Sequence, residues 1–417
     1  MKGGNAMRYE TRAEFIKALG VSEMPEDFGK NFDKTMAEYD EFGAPYLSDE
    51  FIDNIQNEFN VFEVKYEFVK KEAKRVREND LLARYSMLMK QMMVDKDEFA
   101  LLTLPEVPVG EDEQGTVDLE MAAYFGQFAF VPEMVEYYRR RGVPEKIICD
   151  TLRDSFEGGI KVCYGRFGRD GYEINRSFMW NQHYLGHRIL RIGVLNFEMR
   201  PKFTDVARVF VNKNGEYKLL SNGQSISKRG EITGSAADPD EAFVAEYRET
   251  DEGYEGYEID TLNSKVTGNK VLLPKSEWSV AIEPDDPVIN VHIPESGGFN
   301  RENIEWAYRE CYDVFKKCFP EFKPRAFTCF SWMMEPRICE LLGEKSNIVG
   351  FQSKYMRFPR KSSGKAVFTF LFRVNTDTPV DSLPDTTSLQ RKVKELYMNG
   401  EHIYEPCGVF FFDVIDR

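Results

Sequence analysis

Val288-Ile289-Asn290-Val291-His292-Ile293, then a helical stripe from Ile304 to Phe319, then Ala326-Phe327-Thr328-Cys329-Phe330-Ser331-Trp332 decide the fold of the second half of the chain. In the first run Ile289, Val291 and Ile293 fall on one face and Val288, Asn290 and His292 on the other, the period of a strand. Ile304, Ala307, Tyr308, Cys311, Val314, Phe315 and Cys318 recur at three and four residues, with Asn300 as a candidate N-cap and Pro320 as the stop. Strands interleaved with helices predict an α/β layer of mixed or partly parallel strands.

Working outward, Pro336–Leu342 reads as a short helix, Ala366–Val374 as a strand, Leu389–Met398 as a helix and Val409–Val414 as the closing strand. Upstream, Ile189–Phe197, Ala207–Val211 and Phe243–Tyr247 read as strands, and Asn214-Gly215 before Tyr217–Leu220 predicts a two-residue hairpin loop. Residues 221–258 are acidic, with Arg248 the only cation from Asp238 to Glu258, and are expected as an exposed hairpin or flap insertion. From Thr11 to about His187 the spacing is helical, as in Phe51, Ile52, Ile55, Phe59 and Phe62. Breaks fall at Gly20, Pro25, Gly43-Ala44-Pro45, Pro105–Gly115 and Gly142-Val143-Pro144. Met87, Met89, Met92 and Met93 are expected to fill gaps in a helical core. The expected organisation is α+β or α/β: an all-helical domain over 1–187, then a mixed sheet with flanking helices over 188–417.

A chain of 417 residues is long enough for two such units. The net charge of −15, from 55 Lys and Arg against 70 Asp and Glu, argues against nucleic acid as a partner. The deficit is uneven: residues 286–417 hold 18 cations and 18 acids, and Lys345 to Thr376 holds seven cations and no acid. An anionic ligand is therefore compatible with that part of the surface. Seven cysteines without a CxxC pair, behind a polar opening over residues 1–7, lead us to expect reduced thiols and a cytoplasmic protein. No apolar run approaches the ~20 residues of a membrane helix.

His292 and Asn290 project together near a strand end, where a neutral imidazole can accept a proton from an amine. The competing reading has both side chains fixing the turn that begins at Pro294. Ser331, Trp332 and Glu335 gather at a strand-to-helix turn, the kind of edge where open α/β sheets bind ligands. Arg357, Arg360, Lys361 and Lys365 bring four cations to a Gly-containing loop suited to phosphates, or to a solvated hairpin. Cys311 and Cys318 lie on the core stripe, His183 and His187 lack the acid of an HExxH pair, and Gly165-x-x-Gly168-x-x-Gly171 has the wrong spacing for a dinucleotide turn. No metal site is expected.

The runs Ile289–Pro294, Phe315–Glu321, Cys329-Phe330-Ser331-Trp332-Met333-Met334-Glu335-Pro336 and Ser346–Phe351, with Trp180–Leu185 and Arg191–Glu198 upstream, resemble a bacterial family of acyltransferase domain-containing proteins. The resemblance spans roughly residues 145–375. It implies a helical N-terminal domain before a GNAT-like C-terminal domain, and transfer of an acyl group from acetyl-CoA or a longer acyl-CoA cosubstrate to a small-molecule or peptide amine. No covalently bound cofactor is implied. Only His292 and the Ser331-Trp332 motif carry over by position. The chain lacks an Arg/Gln-x-x-Gly-x-Gly/Ala loop to cradle a pyrophosphate, a task the cations of 357–365 are suited to take. Two alternatives stand beside this reading: a non-catalytic ligand- or protein-binding protein of the same fold, and an enzyme on glycans or peptides that pairs Glu335 with a second carboxylate.

Overall fold

The computed structural model describes residues 9, 11–20, 31–95, 113–204, 206–236, 240–295 and 297–412. The expected break at Pro25, most of the Pro105–Gly115 stretch, the polar opening and the end of the last strand lie outside the described residues. The chain divides into two units, Met1–Arg191 and Ile192–Arg417.

The first unit is helical. Asp49–Phe59 shows why: Ser48 caps its N-terminus by accepting from the Phe51 N–H, Asp49 and Glu50 meet the positive end of the dipole, and Asn60 closes it in the left-handed region. Its Ile52, Ile55 and Phe59 are buried. Asp80–Asp95 packs against Glu113–Phe128 so closely that a Cβ on Gly126 would stand 2.7 Å from the Ser86 carbonyl. Met87, Met89, Met92 and Met93 are all buried there. Glu145–Phe167, 23 residues long, ends on Gly168 at φ 69°. Among the described residues no helix is long and apolar enough to cross a membrane.

Among its described residues the second unit contains two large sheets and a small two-stranded one, Gln224–Ile226 paired antiparallel with Phe243–Ala245. The six-stranded one runs Ile189–Ile192, in which the division falls, then Leu195–Arg200, Val288–His292, Ala326–Phe330, Cys407–Phe411 and Met356–Phe358. Helix Arg301–Cys318, capped by Asn300, covers one face; its Tyr308 ring lies 5.8 Å from Phe197 and 4.9 Å from Phe327. The other face receives the second sheet, where Val209, Leu219, Ile259 and Val266 join Val288, Ala326, Val409 and Phe411 in one buried cluster. This second sheet is ordered Trp278–Ile282, Ala207–Asn212, Tyr217–Ser221, Gly253–Asp260 and Arg248–Glu249, with Lys265–Pro274 also paired to Gly253–Asp260.

Several local expectations are corrected. Ile189–Phe197 is two strands, because Gly193 turns the chain at φ 59° under the Trp306 ring. The 212–216 connection is a three-residue loop: the Asn212 N–H donates to the Glu216 carbonyl, and the Asn212 side chain accepts from the N–H groups of Asn214 and Glu216. Ala366–Val374 is a helical turn over Phe368–Phe372. Its buried members, Val367, Phe368 and Phe372, recur as one helical face, while Phe370 is exposed. Residues 221–258 hold the separate two-stranded sheet of Gln224–Ile226 and Phe243–Ala245 and then the Arg248–Glu249 and Gly253–Asp260 strands of the second sheet, so only the first part is an inserted strand pair. Ile226, Ile232 and Ala245 enter the core, and Glu249, Glu255 and Glu258 pair with Lys275, Lys270 and Lys218 from neighbouring strands.

Candidate active site

Val288–His292 and Ala326–Phe330 are parallel neighbours at the centre of the six-stranded sheet, and their ladder pairs Ile289 with Phe327 and Asn290 with Thr328. On their outer sides the ladders run further, to His292↔Asn196 and to Phe330↔Cys407. The inner pairing thus stops two residues before the outer ones, and the strands part at their C-terminal ends. His292 lies on one lip of this opening and Phe330 on the other.

A polar cluster occupies the face of the sheet just behind it. Glu198, on Leu195–Arg200, stands opposite Asn290 in the register and is almost fully buried. Its Oε2 lies 2.8 Å from His292 Nε2 and accepts from Asn290 Nδ2 at 3.3 Å and Arg200 Nε at 2.9 Å. Thr328 donates to Asn290 Oδ1 at 3.2 Å, which fixes the amide. The expected partners His292 and Asn290 are therefore brought together, within 3.1 Å of each other. Glu198 is absent from the sequence-derived candidates. The available signal was a carboxylate sharing one strand face with Asn196 and Arg200 while Leu195, Phe197 and Met199 form the other.

The turn after Phe330 uses its polar groups differently. Ser331 caps the short turn Trp332–Met334 by accepting from the Met333 N–H at 3.1 Å. Trp332 is buried with Ile338, Phe368 and Val393 in an apolar cluster. Glu335 is buried beside Arg337, and burial raises its carboxyl to about 7 against the opposing pull of the Arg337 charge and of N–H groups from Tyr404 and Arg337. Glu405 is likewise raised by burial.

The four expected phosphate-binding cations scatter. Arg357 turns inward, donating to the carbonyls of Leu262 at 2.6 Å and Thr261 at 3.4 Å. Lys361 stands beside Gly234, and Lys365 lies 4.3 Å from the Phe368 ring. Arg360 alone reaches the parted strands, over Phe330. A cleft of about 240 Å³ that sequence reasoning missed opens where Arg301 begins its helix, lined also by Lys345, Ser346 and Lys354. Glu305 pairs with Arg301 and Lys354 at its edge.

His187 and His183 do not form a metal pair. His187 stacks on Tyr137 at 3.9 Å in a left-handed backbone position, and His183 lies against Trp180. Among the described residues no group of three His, Cys, Asp or Glu side chains gathers to hold an ion.

Residues 189–410 match the model of the GNAT-like C-terminal domain, and residues 63–185 that of the N-acyltransferase N-terminal domain. No curated protein matches the chain in sequence. Among solved structures, an acyltransferase in complex with decanoyl-CoA and teicoplanin is similar at a TM-score of 0.56 and 18% identity, over 96% of this chain and 98% of that one. An acyltransferase in complex with CoA and 10C-teicoplanin gives 0.57 and 19% over the same shares. An acyltransferase with decanoyl-CoA gives 0.56 and 16%, again over 96% and 98%.

Proposed function

The chain belongs to the family that joins an N-acyltransferase N-terminal domain to a GNAT-like C-terminal domain, and on that footing we propose that it transfers an acyl group from an acyl-CoA thioester to an amine. The observation that carries the reading is the parting of the two central parallel strands after Asn290 and Thr328, with His292 on the lip. An extended thioester arm lies between the strand ends, and backbone N–H groups released from the ladder polarise its carbonyl. The amine nitrogen attacks the carbonyl carbon, His292 takes its proton, the C–S bond breaks, and the coenzyme A thiol leaves protonated. Arg360 and the cleft of Arg301, Lys345 and Lys354 supply cations for the coenzyme's phosphates. One similar structure holds decanoyl-CoA together with the glycopeptide teicoplanin, which favours a medium-length acyl chain and a peptide-like acceptor.

The experiment is a thiol-release assay with acetyl-, octanoyl- and decanoyl-CoA against amines that include glycopeptides, alongside thermal melts. Saturable release that vanishes in His292→Ala is expected. If no acyl-CoA raises the melting temperature, the reading fails. If acyl-CoA binds but no acceptor is turned over, the non-catalytic alternative replaces it.

A further inference from the structure

We propose that Glu198 is a positioning residue that holds His292 in the Nε2–H tautomer, so that Nδ1 is the nitrogen that exchanges the proton; its catalytic consequence rests on the acyl-transfer reading above. Three donors converge on Glu198 Oε2: Arg200 Nε, Asn290 Nδ2 and the His292 ring. Arg200 brings a full positive charge to that oxygen, an arrangement that suits a carboxylate, which can only accept. At 2.8 Å a ring nitrogen bearing a lone pair would face the lone pairs of Oε2, whereas a ring N–H makes a charge-assisted hydrogen bond. Nε2 therefore carries the hydrogen.

Asn290 supplies the competing contact. Thr328 donates to its Oδ1, so its Nδ2 is the end turned toward Glu198 and the ring. The 3.1 Å approach of Nδ2 to Nε2, taken alone, suits an accepting Nε2; the Glu198 charge, closer at 2.8 Å, outweighs it. The amide and the imidazole are read from one acceptor, and neither can rotate without stranding a buried charge.

In the reaction, Nδ1 takes the proton as the C–N bond forms, and Glu198 stabilises the resulting imidazolium. The proton then passes from Nδ1 to the thiolate sulfur as the C–S bond breaks. Glu198 itself keeps its charge throughout and touches no reacting atom.

The test begins with the protein alone. Nitrogen-15 shifts of the ring, among four histidines in the chain and assigned with His292→Gln, read the tautomer directly. The wild type is expected to be Nε2–H, and Glu198→Ala a mixture of both forms. Glu198→Gln should retain the tautomer, because its amide oxygen still faces the three donors, but lose the charge. Its kcat should fall at least about tenfold with the KM for decanoyl-CoA within about twofold. An Nδ1–H wild type, a folded Glu198→Ala with the tautomer unchanged, or a Glu198→Gln with unaltered kcat overturns the proposal. Should Glu198→Ala fail to fold, the wild-type shifts and Glu198→Gln decide it. Absence of any turnover would sink the transfer reading while the shifts still judged the tautomer.

Discussion

The guanidinium carbon of Arg360 lies 4.0 Å from the centre of the Phe330 ring, on the last residue of the strand that parts from Val288–His292. The aromatic face holds the cation at the mouth of the opening, while its charge remains exposed to a ligand. Arg360→Ala should raise the KM for acyl-CoA about three- to tenfold, more at low salt than at high, with little change in kcat. Steady-state kinetics at two ionic strengths check this, and a KM that stays put would remove Arg360 from the binding surface.

Glu335 makes stability depend on pH in an unusual direction. Burial lifts its carboxyl from 4.5 to about 7, so between those values the folded chain holds a proton that the unfolded chain has released. Stability from this group is present below about pH 4.5 and is lost as pH rises through 7. Glu335→Gln removes the effect, so the variant should gain on the wild type between pH 5 and pH 8, by at most about 3 kcal/mol. Urea unfolding of both proteins at the two pH values measures it; parallel pH profiles would contradict it.

His187 has the opposite sign. Burial, helped by the charges of Arg141 and Arg140, lowers its ring from 6.5 to about 4. The unfolded chain takes up a proton first, so stability is full above 6.5 and declines as pH falls toward 4. His187→Asn tolerates the left-handed backbone at φ 56°. It should be less stable at pH 7, having lost the stack on Tyr137, yet lose about 2–3 kcal/mol less than the wild type on acidification to pH 4. Thermal melts across that range would expose an unchanged acid slope.

Gly126→Ala should cost about 2–3 kcal/mol. A methyl there meets the Ser86 carbonyl and Met89 Cβ at 2.7 and 2.9 Å, and the former belongs to a helix backbone that has no rotamer to change. Denaturant midpoints measure it. A loss under about 0.5 kcal/mol would mean that the two helices separate freely.

The strand, helix and strand from Val288 to Phe330 were legible because alternation and the 3.6-residue stripe are written in burial, and burial here follows the sequence period; Ser331 and Trp332, expected in the second strand, instead open a turn. Ala366–Val374 was not, since its aromatic and branched residues suit a strand equally well, and only packing of Val367, Phe368 and Phe372 into one cluster selects a turn of helix. His292 and Asn290 were legible as neighbours two apart on one strand. Glu198 lies 94 positions from His292, and nothing short of the register joins them. The four cations of 357–365 show the reverse error: closeness along an irregular loop says little about direction, and Arg357 spends its charge on two carbonyls of another turn.

The early end of the ladder between the two central strands also sets a clock. Inner strands of a sheet ordinarily release their amide hydrogens to solvent only when the whole layer opens. Past Asn290 and Thr328 the facing edges have come apart, so deuterium should enter at this point in the middle of the sheet as fast as at its margin, and a bound thioester arm should slow it there while leaving the margin unchanged.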